Sequence, residues 1–356
     1  MMVDTKCRTI LVAPLNWGLG HATRCIPIIK ALQDHNYIPI IASDGAALQL
    51  LKKEFPYLKA LQLPSYEIEY AKKATNFKWK LLQNSPKTIA AIWREKKLVT
   101  QWVEKYALDG IISDNRLGVV SQKVPSVFVT HQLNVMTGST TWFTSKIHQY
   151  FIKKYSECWV PDTENTPNLA GTLSHVQNPD FKIKYLGPIS RMHKKSIPIK
   201  YDLMVILSGP EPQRTFLEKK LKAELQNFTG RVVFIRGVLE KEQRKEQIQT
   251  VTYYNFMNSR QLEQTFNESK MILCRSGYTT IMDLVKLEKK AFFIPTPGQF
   301  EQLYLAEKLQ KEGLIPFAEQ DLFTITDLKR ANNFKGLRYF KTTVDWEKLF
   351  ELFKTT

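Results

Sequence analysis

Residues 271–306, MILCRSGYTTIMDLVKLEKKAFFIPTPGQFEQLYLA, constrain the fold more than any other stretch of the chain. Met271–Leu273 read as the end of a short apolar strand and Arg275-Ser276-Gly277 as a turn. Tyr278–Lys289 read as a helix with Ile281, Leu284, Val285 and Leu287 as its apolar stripe. Ala291–Ile294 is the next strand, Pro295–Gln299 a Pro/Gly loop, and a second helix opens near Phe300. Such a strand–turn–helix unit aims backbone N–H groups and a positive helix end into the crevice above a sheet, where a phosphate can sit. An Arg and a Ser in the turn suit a diphosphate. Asp283, two turns into the helix, together with Glu301 and Gln302, suits sugar hydroxyls.

The beginning of the chain repeats the logic. Arg8–Ala13 is strand-like, Pro14–His21 is a loop (PLNWGLGH), Ala22–Gln33 is an amphipathic helix and Tyr37–Ala42 is a second strand. This is the opening of a doubly wound sheet, although the third glycine of a dinucleotide fingerprint is missing. His21 can take a proton from an attacking hydroxyl at neutral pH, or it can cap the helix. Asp114 closes another short strand, Gly110–Ser113, at the edge where active-site residues of open α/β sheets collect. It can orient His21 or cap the following helix. Tyr201–Leu207 starts a second α/β series after the polar linker HKKSIPIK, residues 193–200.

CRSGYTTIMDL followed by PTPGQFEQ resembles the donor half of the GT-B glycosyltransferases, in the family 28-like group of the lipid II-forming N-acetylglucosaminyltransferase and the monogalactosyldiacylglycerol synthases. That group carries an Arg-x-Gly turn, an acidic residue six after the Gly, and an acidic-Gln pair after a Pro-rich loop; here these are Gly277, Asp283 and Glu301-Gln302. The resemblance implies two Rossmann-like doubly wound domains facing across a cleft. Residues 1–190 would bind the acceptor and 191–356 the nucleotide-sugar donor, with the last helix, Asp345–Phe353, packing back on the first domain. It further implies inverting transfer of a hexose or N-acetylhexosamine from a UDP-sugar to an acceptor hydroxyl, with no cofactor, the UDP-sugar being a substrate. His21 would be the base, with Asp114 as its partner or substitute. Arg191, in the Gly187-Pro188…Arg191 junction, and Arg275 would meet the diphosphate beside Ser276 and Gly277.

Other contacts follow from the same resemblance. Ser208 and Gly209 would let a backbone approach phosphate, although Glu211-Pro212 departs from the richer glycine run of the family. Met257, after Phe256, would meet the uracil ring through its backbone. Gly18, Gly20, His131 and Asn134 would line the acceptor site, whereas Gln132 stands where the relatives carry a Glu. No Asp-x-Asp triplet occurs, so no metal is expected on the diphosphate. Two rivals remain: a UDP-sugar epimerase of similar fold, and a non-catalytic membrane-associated protein that binds sugar nucleotides.

With 356 residues, 43% of them hydrophobic, the chain exceeds the usual size of one core. The net charge of +17 asks for an anionic partner. No nucleic-acid signature is present, so the expected anions are a nucleotide and a membrane surface. Residues 71–105 carry nine Lys/Arg against two Glu, interleaved with Trp79, Trp93 and Trp102. They read either as a face for an anionic headgroup layer or as a solvated helix pair with Trp in the core. Residues 142–158 are a second aromatic, basic candidate. Four scattered cysteines, no zinc spacing, no apolar run of membrane-spanning length and no signal peptide suggest the reducing cytoplasm, with the protein peripheral on the inner face of the membrane.

Overall fold

The computed structural model describes residues 7–66, 77–238, 240–340 and 343–354. They divide into two compact units. One runs through Arg191 and takes in the segment after residue 342; the other is Met192–Phe340. The boundary thus falls one residue later than expected, and the last helix is part of the first unit.

In the first unit the chain runs β1 (Thr9–Pro14), α1 (Gly20–Asp34), β2 (Ile38–Ser43), α2 (Gly45–Glu54), β3 (Ala60–Gln62), α3 (Phe77–Lys105) and β4 (Leu108–Asp114). It continues through β5 (Ser126–Val129), α4 (Thr141–Ile152), β6 (Glu157–Val160) and β7 (Ile183–Tyr185). The seven strands pair in parallel in the order β3-β2-β1-β4-β5-β6-β7. Strands buried on both faces read as continuous apolar runs, and β1 (TILVAP) is buried from Ile10 onward. The order reverses between β1 and β4, where Pro14 lies beside Asp114 and Leu15 N–H bonds the Asp114 carbonyl at 2.8 Å. A crevice at such a reversal is where open α/β sheets bind ligands.

The second unit runs β8 (Tyr201–Ile206), α5 (Gln213–Glu224), β9 (Val232–Ile235), β10 (Lys245–Ile248), β11 (Val251–Tyr254), α6 (Ser259–Asn267), β12 (Ser269–Cys274), α7 (Tyr278–Leu287), β13 (Lys290–Phe293) and α8 (Phe300–Lys311). Its sheet order is β10-β11-β9-β8-β12-β13, with only the β10–β11 pair antiparallel among the described strands. The hydrophilic β10, KEQI, is exposed throughout and carried no strand signal in the sequence. Here the order reverses between β8 and β12, so the turns 207–212 and 275–277 emerge side by side. Helix α7 stops at Leu287 because Glu288 adopts a left-handed backbone at φ 51°.

The final helix α9 (Trp346–Phe350) continues into a 3₁₀ turn, Glu351–Phe353. Tyr37 Oη donates to the Phe350 carbonyl at 3.1 Å, and Phe350 and Phe353 pack near Trp159 at ring separations of 6.3 and 6.2 Å. Gly110 is required there, since a Cβ would sit 2.3 Å from the Phe353 ring. The basic segment divides between its two readings. Trp102 joins the core of β1, β2 and β4, while Trp93 is 68% exposed. Lys72 and Lys73, and the side chains of Lys78, Trp79 and Lys80, lie outside the described part.

Candidate active site

At the reversal point of the first unit, helix α1 and the end of β4 bring four side chains together. Asp114 is fully buried. Its Oδ1 lies 2.7 Å from His21 Nδ1, Arg24 Nε donates to its Oδ2 at 2.5 Å, and a second Arg24 nitrogen, Nη2, contacts Oδ1. Arg24 Nη1 reaches His131 Nδ1, just past β5, at 3.1 Å, and Nη2 lies 2.9 Å from His21 Nδ1. Cys25 Sγ is 3.6 Å from Asp114 Oδ2. The helix makes this possible because residues three apart share a face, and His21 and Arg24 have that spacing.

The electrostatics assign the proton. Burial alone would raise the Asp114 carboxyl, but Arg24 and then His21 hold it down at about 2. An ionised carboxylate can only accept, so Nδ1 of His21 carries the hydrogen and Nε2 keeps its lone pair. The imidazole itself is held below its ordinary 6.5: burial contributes most, Asp114 opposes it, and Arg24 and His131 add to the lowering. His21 is therefore neutral near pH 7, oriented by a buried carboxylate, and retains 12% side-chain exposure. That is the arrangement of an oriented general base. Of the two sequence readings of Asp114, the structure shows the orienting one.

The remaining expected acceptor residues are less uniform. Gly18 sits in the loop at φ 70°, with open space around an added Cβ, and Gly20 opens α1. His131 joins the cluster through Arg24. Asn134 braces a neighbouring loop, its Nδ2 donating to the carbonyls of Thr172 at 2.7 Å and His175 at 3.2 Å. Gln132 N–H bonds Thr130 Oγ1 at 3.0 Å.

In the second unit the expected donor residues surround the β8/β12 reversal, but several are committed to the scaffold. Arg275 is 1% exposed. Its Nη1 donates to the carbonyls of Ile294 and Pro295, both at 3.0 Å. Its Nη2 donates to the Gln213 carbonyl at 3.1 Å and to Gln320 Oε1 at 2.7 Å. Burial pulls the guanidinium down to about 10. An Arg whose terminal nitrogens all donate to protein oxygens is a clamp on three loops, and its Nε alone is left without a partner among the described atoms. Ser276 Oγ likewise donates to the Gln302 carbonyl at 2.7 Å, and Gln302 Oε1 accepts from Thr296 N–H at 2.9 Å. Both side chains fix the loop between β13 and α8.

The rest of the β8/β12 reversal is mostly backbone and small side chains. Gly277 caps α7, and a Cβ there would meet nothing nearer than Thr280 Oγ1 at 4.0 Å. Gly209, at φ 100°, faces Thr296 Oγ1, a buried hydroxyl with no hydrogen-bond partner among the described atoms; the sequence reading missed it. Ser208 is exposed beside it. Asp283 and Glu301 are half-buried on α7 and α8. Met257 Sδ takes a contact from Thr265 Oγ1 at 3.4 Å, which packs its side chain on α6. Arg191 belongs to the first unit, where its Nη1 stands 4.0 Å from Glu54 of α2.

Two arginines have buried partners that the sequence does not indicate. Arg24 interrupts an otherwise apolar helix stripe (Cys25, Ile26, Ile28, Ile29), which was its available signal. Arg116, fully buried two residues after Asp114, pairs with Glu95 of α3 at 2.6 Å and Asp44 at 2.8 Å. Glu95 also accepts from Tyr66 Oη at 2.6 Å. Glu95 had been counted only as one of two acids in a basic stretch.

Residues 206–332 match the glycosyltransferase family 28 C-terminal domain. A transferase of Buchnera aphidicola is 26% identical over 245 residues, 64% of this chain and 63% of its own length. Its name is UDP-N-acetylglucosamine–N-acetylmuramyl-(pentapeptide) pyrophosphoryl-undecaprenol N-acetylglucosamine transferase. The Haemophilus ducreyi protein of the same name is 21% identical, over 64% of each chain. The chain thus spans somewhat under two thirds of these relatives. The crystal structure of Acinetobacter baumannii MurG superposes with a TM-score of 0.59 at 11% identity, covering 99% of this chain and 100% of that one. At that identity the likeness is one of fold.

Proposed function

We propose, on the premise that this chain is a GT-B protein with a family 28-type C-terminal domain, that it transfers a hexose or N-acetylhexosamine from a UDP-sugar to an acceptor hydroxyl. The observation that carries this reading is the buried Arg24–Asp114–His21 cluster, which leaves one imidazole nitrogen basic at the mouth of a sheet reversal. In the reaction, His21 Nε2 takes the proton of the acceptor hydroxyl as its oxygen attacks the sugar C1. The C1–O bond to the diphosphate breaks on the opposite face, giving inversion, and UDP leaves with the bond electrons. Backbone N–H groups around Gly209 and Gly277, and the positive end of α7, would receive the diphosphate. Asp283 and Glu301 would meet hydroxyls of the donor. Transfer would need no metal ion, so it should persist in EDTA; strict dependence on Mg²⁺ or Mn²⁺ would refute that part.

The names of the relatives add an acceptor class, a lipid-linked pyrophosphate. On this chain, α4 exposes Trp142 (73%), Phe143 (59%), Ile147 (45%) and Tyr150 (60%) around Lys146. Lys154 lies 4.4 Å over the Tyr150 ring. An aromatic face rimmed by lysines suits anionic headgroups. The acceptor is accordingly read as lipid-borne, and the protein as peripheral on an anionic membrane. No described helix is long and apolar enough to cross a membrane.

The deciding experiment incubates the chain with a panel of UDP-, dTDP- and GDP-sugars and lipid extracts, and follows nucleoside diphosphate release and glycolipid formation. Acceptor-dependent release from a UDP-sugar, lost in His21→Ala, is the expected result. Interconversion of free UDP-sugars without an acceptor would instead favour an epimerase. Binding without any turnover would favour the non-catalytic reading. Flotation with phosphatidylglycerol vesicles should capture the wild type at low salt and fail with Trp142→Ala/Phe143→Ala.

A further inference from the structure

The Arg24 guanidinium is nearly sealed from water at 2% exposure, and all its surroundings point to one task. A buried cation with one carboxylate partner would serve the fold if the carboxylate did nothing else. Here Asp114 is shared: Arg24 Nε holds Oδ2 at 2.5 Å, and His21 Nδ1 holds Oδ1 at 2.7 Å. The same guanidinium abuts Nδ1 at 2.9 Å. On its far side, Nη1 is held by His131 Nδ1 at 3.1 Å.

We propose that Arg24 is a positioning residue for the His21–Asp114 pair: its fork locks the carboxylate that holds His21 Nδ1, so that the ring presents Nε2, while His131 anchors the guanidinium. The charged and titratable groups that act on His21 are Arg24 from α1, Asp114 from β4 and His131 from the segment after β5, while the Cys25 thiol meets Asp114 at its Oδ2. Beyond His131 lies His148 of α4, a half-buried imidazole held down at about 4 by burial and then by His131. At neutral pH, Arg24 is thus the fixed positive charge against His21. A carboxylate alone would orient the ring but would also favour its protonation. Arg24 leaves the orientation in place and opposes the protonation. The consequence for transfer rests on the reading of His21 as the base, but the charge relation does not.

The test is NMR titration of histidine-labelled full-length protein, with the His21 resonance assigned by its loss in His21→Gln. The wild-type midpoint should lie below 6.5, with the hydrogen of the neutral ring on Nδ1. Arg24→Gln should raise the midpoint by on the order of one pH unit. Arg24→Lys, which restores charge without the fork, should recover most of that rise. His131→Gln should raise it by less. An unchanged midpoint in folded Arg24→Gln overturns the proposal, and so does an equal rise in Arg24→Lys, which would assign the effect to packing. Should Arg24→Gln not fold, His131→Gln decides, and the absence of any rise there overturns it. If the midpoints move as expected while His21→Ala keeps full transfer, the base assignment fails and the role of Arg24 stands.

Discussion

The two sheet reversals use their polar side chains in opposite ways. In the first unit, Asp114 and Arg24 close on a single imidazole, with His131 behind Arg24, and leave its Nε2 without a part in the cluster. In the second, Arg275, Ser276 and Gln302 turn inward and hold loops, and on the proposed function the diphosphate would be met by backbone N–H groups and a glycine surface. A proton acceptor must be a side chain, because no backbone group titrates near neutrality. A diphosphate is met well by N–H groups at a helix end, which need only be held rigidly. Substitution of His21 should therefore remove chemistry and spare the fold, and substitution of Arg275 should cost stability first.

The largest expected effect is at His21. His21→Ala should lower transfer by roughly 10²–10⁴-fold, the usual range for a general base, while calorimetric nucleotide affinity and the melting temperature stay near wild type. A matching loss of nucleotide affinity would break the contrast, because it would make His21 part of donor binding.

Arg275→Ala should show the opposite pattern. It leaves the Gln320 carboxamide and three carbonyls without their donor, at a cost of about 2–4 kcal/mol, or a fall in Tm of roughly 5–15 °C. UDP affinity should fall with it, and Arg275→Lys should recover little, since one ammonium cannot span three loops. Loss of UDP affinity at unchanged Tm would show that the guanidinium touches the ligand after all.

The pH dependence separates the reversals more finely. With its proton affinity lowered, His21 stays neutral to more acid pH than a free imidazole, so the acid limb of kcat/KM should fall below 6.5. Nucleotide affinity should stay flat across that limb. The sign for stability follows from the same lowering. The unfolded His21 binds a proton that the folded one refuses, so its contribution weakens the fold as pH drops through about 6.5. A limb above 6.5 would mean that Asp114 outweighs burial and Arg24 together.

The unequal legibility of the two sites has the same origin. The strand–turn–helix pattern of 271–306 and the β1–α1–β2 opening are local, so their periodicity and glycines appear in the sequence. His21 was legible because it follows a glycine loop, and Asp114 because it ends an apolar strand. Their pairing across 93 positions could be stated only as one of two options. Arg24 and Arg116 were illegible as partners because a buried ion pair has no local pattern; only a charge inside an apolar stripe betrays it. The loop contacts of Arg275 and Gln302 are illegible for a related reason: a motif records which residues gather at a turn, and says nothing about which way each side chain points. The exposed strand β10 lacks the apolar alternation that marks a strand, because it packs no face against the core.

Gly277→Ala should give the smallest effect on the fold and the sharpest statement about the second reversal. Gly277 has an ordinary φ of −72°, and its nearest neighbour to an added Cβ is 4.0 Å away. The methyl group therefore creates neither strain nor a clash, and the melting temperature should move by no more than about 1 kcal/mol equivalent. If backbone N–H groups at the start of α7 receive a diphosphate, however, that methyl group stands on the surface the phosphate approaches. UDP affinity should then fall about tenfold, roughly 1.4 kcal/mol, without the loss of stability expected for Arg275→Ala. An unaltered affinity would place the diphosphate elsewhere, with the Gly209–Thr296 surface as the next place to substitute. A fall in both affinity and stability would mean that the opening of α7 is packed more tightly than its geometry shows, and the division between a chemical reversal and a scaffolded one would lose its clearest support.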